Sequence, residues 1–401
     1  MPHTLAFSVE LVTTVFTLLG MGYLFAAIFA ANLFLIERRP AAGSFAPGVS
    51  ILKSLKGLDP SMLEAFRTHC RQNYAGEYEL LFGVASLDDP AAAAVLELQG
   101  EFPEQTIRLI ECPERLGTNG KVSTLAQLVV HAHYDYLLIN DSDITVTPNY
   151  LARIMAEFEE QGHRDKETKG RKTVGLVTAL YRGRAQNTLG SRLEALGIAV
   201  EFQPSVLLSR LLERGMRYGL GSTLAVRRDA LEAIGGFPVL ADYLADDYEL
   251  GARVHAAGYA VVLSHEPVET SVPAYNWRAF VDHQVRWFRT VRDARPGGYA
   301  GLAVTHAFAW ALLNVIASGI SPVSLWLLAL TFFLRLSVAM TVGVRVLRDH
   351  QALSLLWLLP LRDVVAIGLW IAGFAGNAIV WRGERFVVRR GKLTRADTAQ
   401  S

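Results

Sequence analysis

Two aspartates one residue apart, Asp141 and Asp143, close the apolar run Tyr136-Leu137-Leu138-Ile139. The run reads as a buried strand, and carboxylates left desolvated at its tip would be costly unless something cationic met them. An Asp-x-Asp pair at a strand end can hold a divalent ion through oxygen ligands while the ion bridges phosphates. The same pair suits an Asx-type turn ahead of a helix opened by Thr147-Pro148 and running to about residue 160. A second acidic group, Asp246-Asp247-Tyr248-Glu249, opens a helical pattern that reaches about residue 257. Asp247 there reads as a general base for an acceptor hydroxyl or as a carboxylate favoured in a first turn by the helix dipole. His283, Arg286 and Trp287 in "DHQVRWFRT" are spaced i, i+3, i+4 and share one helix face. Arg beside Trp suits a diphosphate and a stacked ring or lipid headgroup, and equally an amphipathic helix lying on a membrane.

These residues need a frame. Short apolar runs at 49–52, 78–84, 106–110, 136–140 and 174–180 are bounded by polar, Gly or Pro residues and separated by helical patterns. That alternation predicts an α/β domain over about 47–296 with a largely parallel sheet and crossover helices. In such sheets ligands bind outside the carboxyl ends of the strands, where Asp141 and Asp143 stand. The stretch "QGHRDKETKGRK" (161–172) reads as a charged surface loop.

Membrane segments flank the domain. Residues 11–36 carry no charge, long enough at about 1.5 Å per residue to cross a core of about 30 Å. With no Lys or Arg ahead of it and a run longer than a signal-peptide core, this is an anchor. Glu37-Arg38-Arg39 follows, so that end faces the cytoplasm by the positive-inside rule. Residues 298–334, broken by Ser318-Gly319-Ile320-Ser321-Pro322, read as a hairpin of two spans. Beyond it, 353–361 and 364–381 flank Arg362-Asp363. Either 364–381 crosses alone and leaves the basic tail "WRGERFVVRRGK" outside, against the rule, or a re-entrant hairpin turning near Pro360 keeps it inside. Arg335 and Asp363 either pair at membrane depth or snorkel to an interface. The expected division is an anchor at 1–40, a cytoplasmic catalytic domain at 41–297 and a membrane region with a basic tail at 298–401.

Composition agrees. Of 401 residues 51% are hydrophobic and 19% charged, against roughly 45–50% and about 25% in soluble domains, and the mean hydropathy is +0.25. A net charge of +1 without a basic stripe gives no footprint for nucleic acid. Two cysteines, Cys70 and Cys112, make neither a disulfide framework nor a thiolate zinc site.

Seven stretches in order carry a resemblance: "PGVSILKSLKGLDP" from Pro47, "LLFGVASLDDPA" from Leu80, "LGTNGKVSTL" from Leu116, "NDSDI" from Asn140, "GSTLAVRRDALEAIGGF" from Gly221, "LADDYELG" from Leu244 and "HQVRW" from His283. Their order and spacing resemble those of ceramide glucosyltransferases, membrane-bound inverting family 2-like enzymes with the GT-A fold. The chain looks similar across nearly its full length to the bacterial hopanoid-biosynthesis glycosyltransferase group.

The resemblance implies a GT-A domain, a Rossmann-like mixed sheet, flanked by transmembrane helices, and it implies roles. Asp88 or Asp89 would contact the nucleotide; Ser86 stands where relatives carry a further Asp. Asn119 and Lys121 match an Asn-x-Lys element near the donor. Asp141 and Asp143 match the site of a divalent metal, Mg²⁺ or Mn²⁺, and of the diphosphate. Asp247 matches the catalytic base. Arg286 and Trp287 match the last motif, in which His283 replaces the usual Gln or Arg. No histidine stands in 201–207, where ceramide enzymes carry one before the Gly-Ser strand, which weighs against ceramide. The implied enzyme is an inverting hexosyltransferase of the bacterial inner membrane, its catalytic domain facing the cytoplasm. Its donor is a UDP-sugar and its acceptor a membrane lipid. A hopanoid polyol receiving N-acetylglucosamine is the first reading, with glucose as the other sugar and ceramide as the alternative acceptor. A noncatalytic transporter or scaffold would use these acidic groups only as caps and turns.

Overall fold

The computed structural model describes residues 2–43, 45–59, 61–159, 163–164, 171–381 and 384–395. These form two compact units. One comprises Arg38–Tyr181, Leu212–Ser271 and Phe386–Ser401, the other Met1–Glu37, Arg182–Leu211 and Val272–Arg385.

The first unit is built on a sheet. In chain order its strands are β1 (Val49–Ser54), β2 (Tyr78–Val84), β3 (Ile107–Glu111), β4 (Tyr136–Ile139) and β5 (Ile144–Thr145), a separate short hairpin β6 (His163–Arg164) and β7 (Arg171–Lys172), then β8 (Val174–Arg184), β9 (Leu224–Arg227) and β10 (Ala260–Ser271). Eight of them join in the order β3-β2-β1-β4-β9-β8-β10-β5. Pairings β1–β2, β2–β3 and β1–β4 are parallel, whereas β4–β9, β8–β9 and β5–β10 are antiparallel. The sheet is therefore mixed, parallel only in its first half. Strands β2 and β4 are near-continuous apolar runs because both faces are covered, and β1 is buried along almost its whole length although it carries Ser50 and Lys53. Most of the charged stretch 161–172 lies outside the described residues; β6 and β7 are the part that is described.

The helix expected from Thr147 begins later, at Tyr150, and ends at Ala156. The Thr147 hydroxyl donates to Glu266 Oε1 (2.6 Å) instead of capping, and Asn149 takes the N-cap position.

The second unit is helical. Helices Phe7–Ile36, Leu189–Leu212, Pro322–Val346 and Gln351–Gly373 are long and apolar enough to cross a membrane, and Pro296–Thr305 with Ala307–Ala317 makes a further such pair bent by 55°. The chain is a membrane protein by these helices. The first helix works as a ruler for the others. Asn314 donates to Thr14 Oγ1 (2.7 Å) near its start, Ala307 packs on Gly20 at its middle, and Arg345 donates to Asn32 Oδ1 (3.1 Å) near its end. From Thr14 to Asn32 the rise is about 27 Å, the length along which Pro322–Val346 follows the first helix, whereas Ala307 to Asn314 runs the other way over the stretch from Gly20 to Thr14. They turn at Ser318, whose hydroxyl donates to Ser324 (2.8 Å).

The final helix differs from both sequence alternatives. Pro360 sits in the first turn of Leu359–Gly373, where its missing N–H costs nothing, so the chain runs on from Gln351 without a hairpin. Gln351 Oε1 accepts from Ala185 N–H (2.8 Å) six residues beyond Arg345, and the Gly373 carbonyl accepts from Arg292 (2.7 Å) on the helix that precedes the bent pair. Arg335 and Asp363 pair, with Nε donating to Oδ2 at 2.8 Å and Arg335 Nη1 to the Val200 carbonyl at 2.7 Å; both residues are buried.

Candidate active site

The site grows from the end of β4. Buried Asn140 clamps that strand end: its amide donates to the Ser222 carbonyl (2.7 Å) and the Tyr150 hydroxyl (3.0 Å), and its oxygen meets His69 Nε2 (3.2 Å). Burial pushes His69 down to about 3, so it stays neutral there. Asp141 and Asp143 then occupy the link to β5 and cap no helix. Asp141 Oδ1 accepts from Lys121 Nζ (2.6 Å) and the Asp141 carbonyl from Lys53 Nζ (3.3 Å). Asp143 accepts the Thr270 hydroxyl, and Ser142 donates to Asp59 (2.5 Å).

Lys121 comes from the helix Gly120–Leu128, whose N-cap is Asn119. The Asn119 oxygen accepts from Val122 N–H (3.2 Å), while its amide donates to the Tyr243 carbonyl (2.9 Å) and Asp246 Oδ1 (3.3 Å). Asn119 thus joins two loops and orients Lys121. Burial alone would lower the Lys121 pKa, but Asp141 and Asp246 outweigh it and hold the ammonium charged.

Asp247 lies in the first turn of the helix Asp246–Ala256, which has no side-chain N-cap bond. Its Oδ2 faces Gly221: a Cβ there would stand 3.1 Å from Asp247 Oδ2 and 3.5 Å from Asp141 Oδ2. The two carboxylates therefore border one small gap floored by bare backbone. Desolvation, with the Asp246 charge second, raises Asp247 to about 6 against the opposing pull of Lys121. Desolvation, with Asp141 second, raises Asp143 to about 6. Crowded carboxylates with raised pKa values mark a place where a cation or a proton is expected.

The donors here are hard oxygens, and Asp141 Oδ2 points into the gap while Oδ1 holds Lys121. That set fits a small hard divalent ion. Among the described residues no group of three or more His, Cys, Asp or Glu side chains is arranged to hold a metal. Protein carboxylates would thus supply part of a shell, leaving positions for phosphate oxygens and water.

Asp88 and Asp89 separate into two jobs. Asp89 is the N-cap of Pro90–Glu101, its Oδ1 accepting from Ala91 and Gly57 N–H groups, both at 2.9 Å. Asp88 is exposed and its carboxylate makes no hydrogen bond among the described residues, so it is the one open to a ligand.

His283, Arg286 and Trp287 belong to the helical unit, on the helix Trp277–Ala294 capped by Asn276. His283 Nδ1 meets Glu194 Oε2 (3.0 Å), and its ring stacks on Tyr275 (5.1 Å between centroids). Trp287 packs edge-on against Phe202 (5.6 Å).

Sequence reading assigned no role in the site to Lys53 or Asn140. A lone lysine inside the apolar strand Val49–Ser54 was the available signal for the first. Lys53 is fully buried, and desolvation lowers it to about 7.

The model of glycosyl transferase family 21 matches residues 12–394. Ceramide glucosyltransferase 3 of Caenorhabditis elegans is 23% identical over 399 residues, covering 94% of this chain and 81% of that protein. The ceramide glucosyltransferase of Komagataella phaffii is 30% identical over 140 residues, 32% of this chain and 27% of its own. Among solved structures, the mannosyltransferase PcManGT from Pyrobaculum calidifontis, in complex with GDP-Man and Mn²⁺, shares the fold at a TM-score of 0.53 and 18% identity, over 91% of this chain and 97% of that one. The chain belongs to glycosyl transferase family 21 and is a hexosyltransferase with a GT-A-like fold.

Proposed function

We propose that this enzyme transfers a hexosyl group from a nucleoside diphosphate sugar, UDP-linked by the resemblance, to a hydroxyl of a membrane lipid, with inversion at the anomeric carbon. The observation that carries the reading is the gap over Gly221, bordered by Asp141 on one side and Asp247 on the other, with Lys121 held charged beside Asp141. A basic carboxylate opposite a cation-seeking one, with nothing but backbone between, suits a direct displacement.

Asp247 accepts the proton of the acceptor hydroxyl as its oxygen attacks the anomeric carbon, and the bond to the diphosphate breaks with its electron pair leaving on phosphate oxygen. Lys121 offsets the charge that develops there. A divalent ion at Asp141 and Asp143, Mg²⁺ or Mn²⁺, supplies further charge stabilisation when bound; the Mn²⁺ in the mannosyltransferase complex supports that chemistry in this fold. Asp88 is the candidate contact to the base. His283, Arg286 and Trp287 are assigned to the donor diphosphate by their motif.

The favoured acceptor is a hopanoid polyol in a bacterial inner membrane, with the catalytic unit in the cytoplasm behind Arg38-Arg39. The second reading, ceramide, is supported by the ceramide glucosyltransferase relatives. Lipid mass spectrometry on the host with the gene deleted, then complemented with wild type or Asp247→Asn, tests both. A hopanoid polyol that accumulates and is cleared only by wild type supports the first reading, and accumulated free ceramide supports the second. An unchanged glycolipid profile removes lipid glycosylation altogether.

A further inference from the structure

The segment read from sequence as a basic tail is an antiparallel hairpin, β11 (Glu384–Arg389) and β12 (Lys392–Arg395), with Phe386 opposite Arg395 and Arg389 opposite Lys392. Gly391 turns it at φ +77°, a left-handed conformation open to glycine. The second strand pairs again, with residues 242–244. Leu393 N–H donates to the Asp242 carbonyl (2.7 Å), Leu244 N–H to the Gly391 carbonyl (3.1 Å), and Tyr243 stands opposite Lys392. Buried Leu393 also takes the Thr118 hydroxyl on its carbonyl (3.2 Å). Thr118 in turn donates to Asp242 through its N–H (3.0 Å) and hydroxyl (2.9 Å). Lys392 lies 5.3 Å above the Tyr243 ring, and Arg253 at the same distance from it.

The two loops gripped in this way are the ones that present the reacting groups. One runs from Thr118 through Asn119 to Lys121, the other from Asp242 through Asp246 to Asp247. We infer that the C-terminal hairpin is a positioning strap, which adds a strand to the loop before Asp247 and fixes the separation of Asp247 from Lys121. A few tenths of an ångström there matter, since misplacement by about 1 Å can cost about a hundredfold in rate.

The strap has a topological consequence. Pairing with residues 242–244 requires the tail to lie on the same side of the membrane as Asp247. That side is also the one the positive-inside rule asks of so basic a segment.

The inference rests on Asp247 and Lys121 acting in transfer, so it is tested by turnover and by a readout independent of turnover. Leu393→Pro in the full-length enzyme deletes the N–H that bonds Asp242. Turnover should fall by about tenfold to a hundredfold, with donor KM changed less than about threefold. Tyr243 and Lys392 form a non-hydrogen-bonded pair, whose close side chains suit a disulfide. Adding Tyr243→Cys and Lys392→Cys to the proline variant should restore turnover on oxidation and lose it again on reduction, which a variant that merely misfolds would not do. Unchanged kcat in Leu393→Pro overturns the strap. In a background lacking Cys70 and Cys112, cysteines placed at Glu104 and at Arg395 should be labelled from the same face of oriented vesicles by an impermeant thiol reagent; labelling from opposite faces also overturns it. If Asp247→Asn turns over normally while labelling and cross-linking behave as expected, the catalytic reading fails and the docking of the hairpin stands.

Discussion

Gly251 packs on the backbone of Gly219 so closely that a Cβ on Gly251 would stand 2.2 Å from the Gly219 nitrogen. Gly251 is one turn past Asp247 on the same helix, and Gly219 lies two residues before Gly221. The contact therefore sets how near the Asp247 carboxylate comes to the bare backbone at Gly221. Gly251→Ala gains about 1 kcal/mol in helix propensity, but the displaced atom is backbone and cannot rotate away. A net loss of about 2 kcal/mol or more is expected, together with a fall in kcat as the helix is pushed outward. Thermal melting in detergent alongside steady-state kinetics measures both; an alanine variant as stable and active as wild type would show that the helix has room to move.

Gly221→Ala separates fold from chemistry. The three atoms nearest its Cβ would all be side-chain atoms, Asp247 Oδ2 at 3.1 Å, Asp141 Oδ2 at 3.5 Å and Asp247 Cγ at 3.6 Å, which can give way. Stability should change by less than about 1 kcal/mol, in the range of most surface substitutions. The methyl group fills the gap between the two carboxylates, so kcat should fall by about tenfold to a hundredfold. A drop in melting temperature that matches the lost activity would point to a structural role instead.

How much of this could be read from residues alone follows from the range of the interactions. Strands β2 and β4 were legible because burial on both faces writes itself as a near-continuous apolar run, and the placing of Asp141 and Asp143 at the end of β4 and of Asp247 in a first helical turn because those motifs are local. The helix start at Tyr150 was not, since the Thr147 hydroxyl is taken by Glu266 far along the chain. The apolar helix Leu189–Leu212 was hidden by Glu194, Glu201 and Arg210, charges satisfied only in three dimensions by His283, Arg362 and Glu37. The role of the tail was equally hidden, because Leu393 pairs with a segment about 150 residues earlier in the chain.

Asp247 gives an acid limb to activity. A base must be unprotonated to act, and burial raises this one to about 6, so kcat/KM should fall tenfold per pH unit below about 6. The effect on stability has the opposite sense. A carboxyl whose folded pKa exceeds its unfolded value binds more protons in the native state, so unfolding becomes easier as pH rises through the interval from about 4 to about 6. Asp247→Asn should therefore be inactive yet more stable than wild type at pH 7, by about 1–3 kcal/mol, and the gain should vanish near pH 4. Equal stability of the two proteins at pH 7 would mean that Asp247 is not desolvated.

A divalent ion should act on the same balance. If Mn²⁺ or Mg²⁺ binds Asp141 and Asp143, saturating ion at 100 times its Kd stabilises the protein by about 2.7 kcal/mol. That shift should be lost in Asp141→Asn and Asp143→Asn. Melting curves with and without chelator, on all three proteins, measure this without recourse to activity; an identical shift in the variants would put the ion elsewhere.

Arg335 and Asp363 are both buried in the helical unit and joined through two N–H···O bonds, one of them 2.8 Å from Nε to Oδ2. Removing one partner leaves an uncompensated charge, so Asp363→Asn should destabilise by about 3–5 kcal/mol. Replacing both with apolar residues of similar size, Arg335→Met with Asp363→Leu, takes away both desolvation costs and should recover most of that loss. Recovery would fall short by the Val200 carbonyl, which loses the Arg335 Nη1 donor at 2.7 Å and costs about 1 kcal/mol when left unpaired. Melting in detergent of wild type, the single variants and the double variant forms the cycle that isolates the pair. A double variant no more stable than Asp363→Asn alone would mean that the pair organises polar groups beyond itself, with Glu201 and Arg362, 2.8 Å apart, the first to examine.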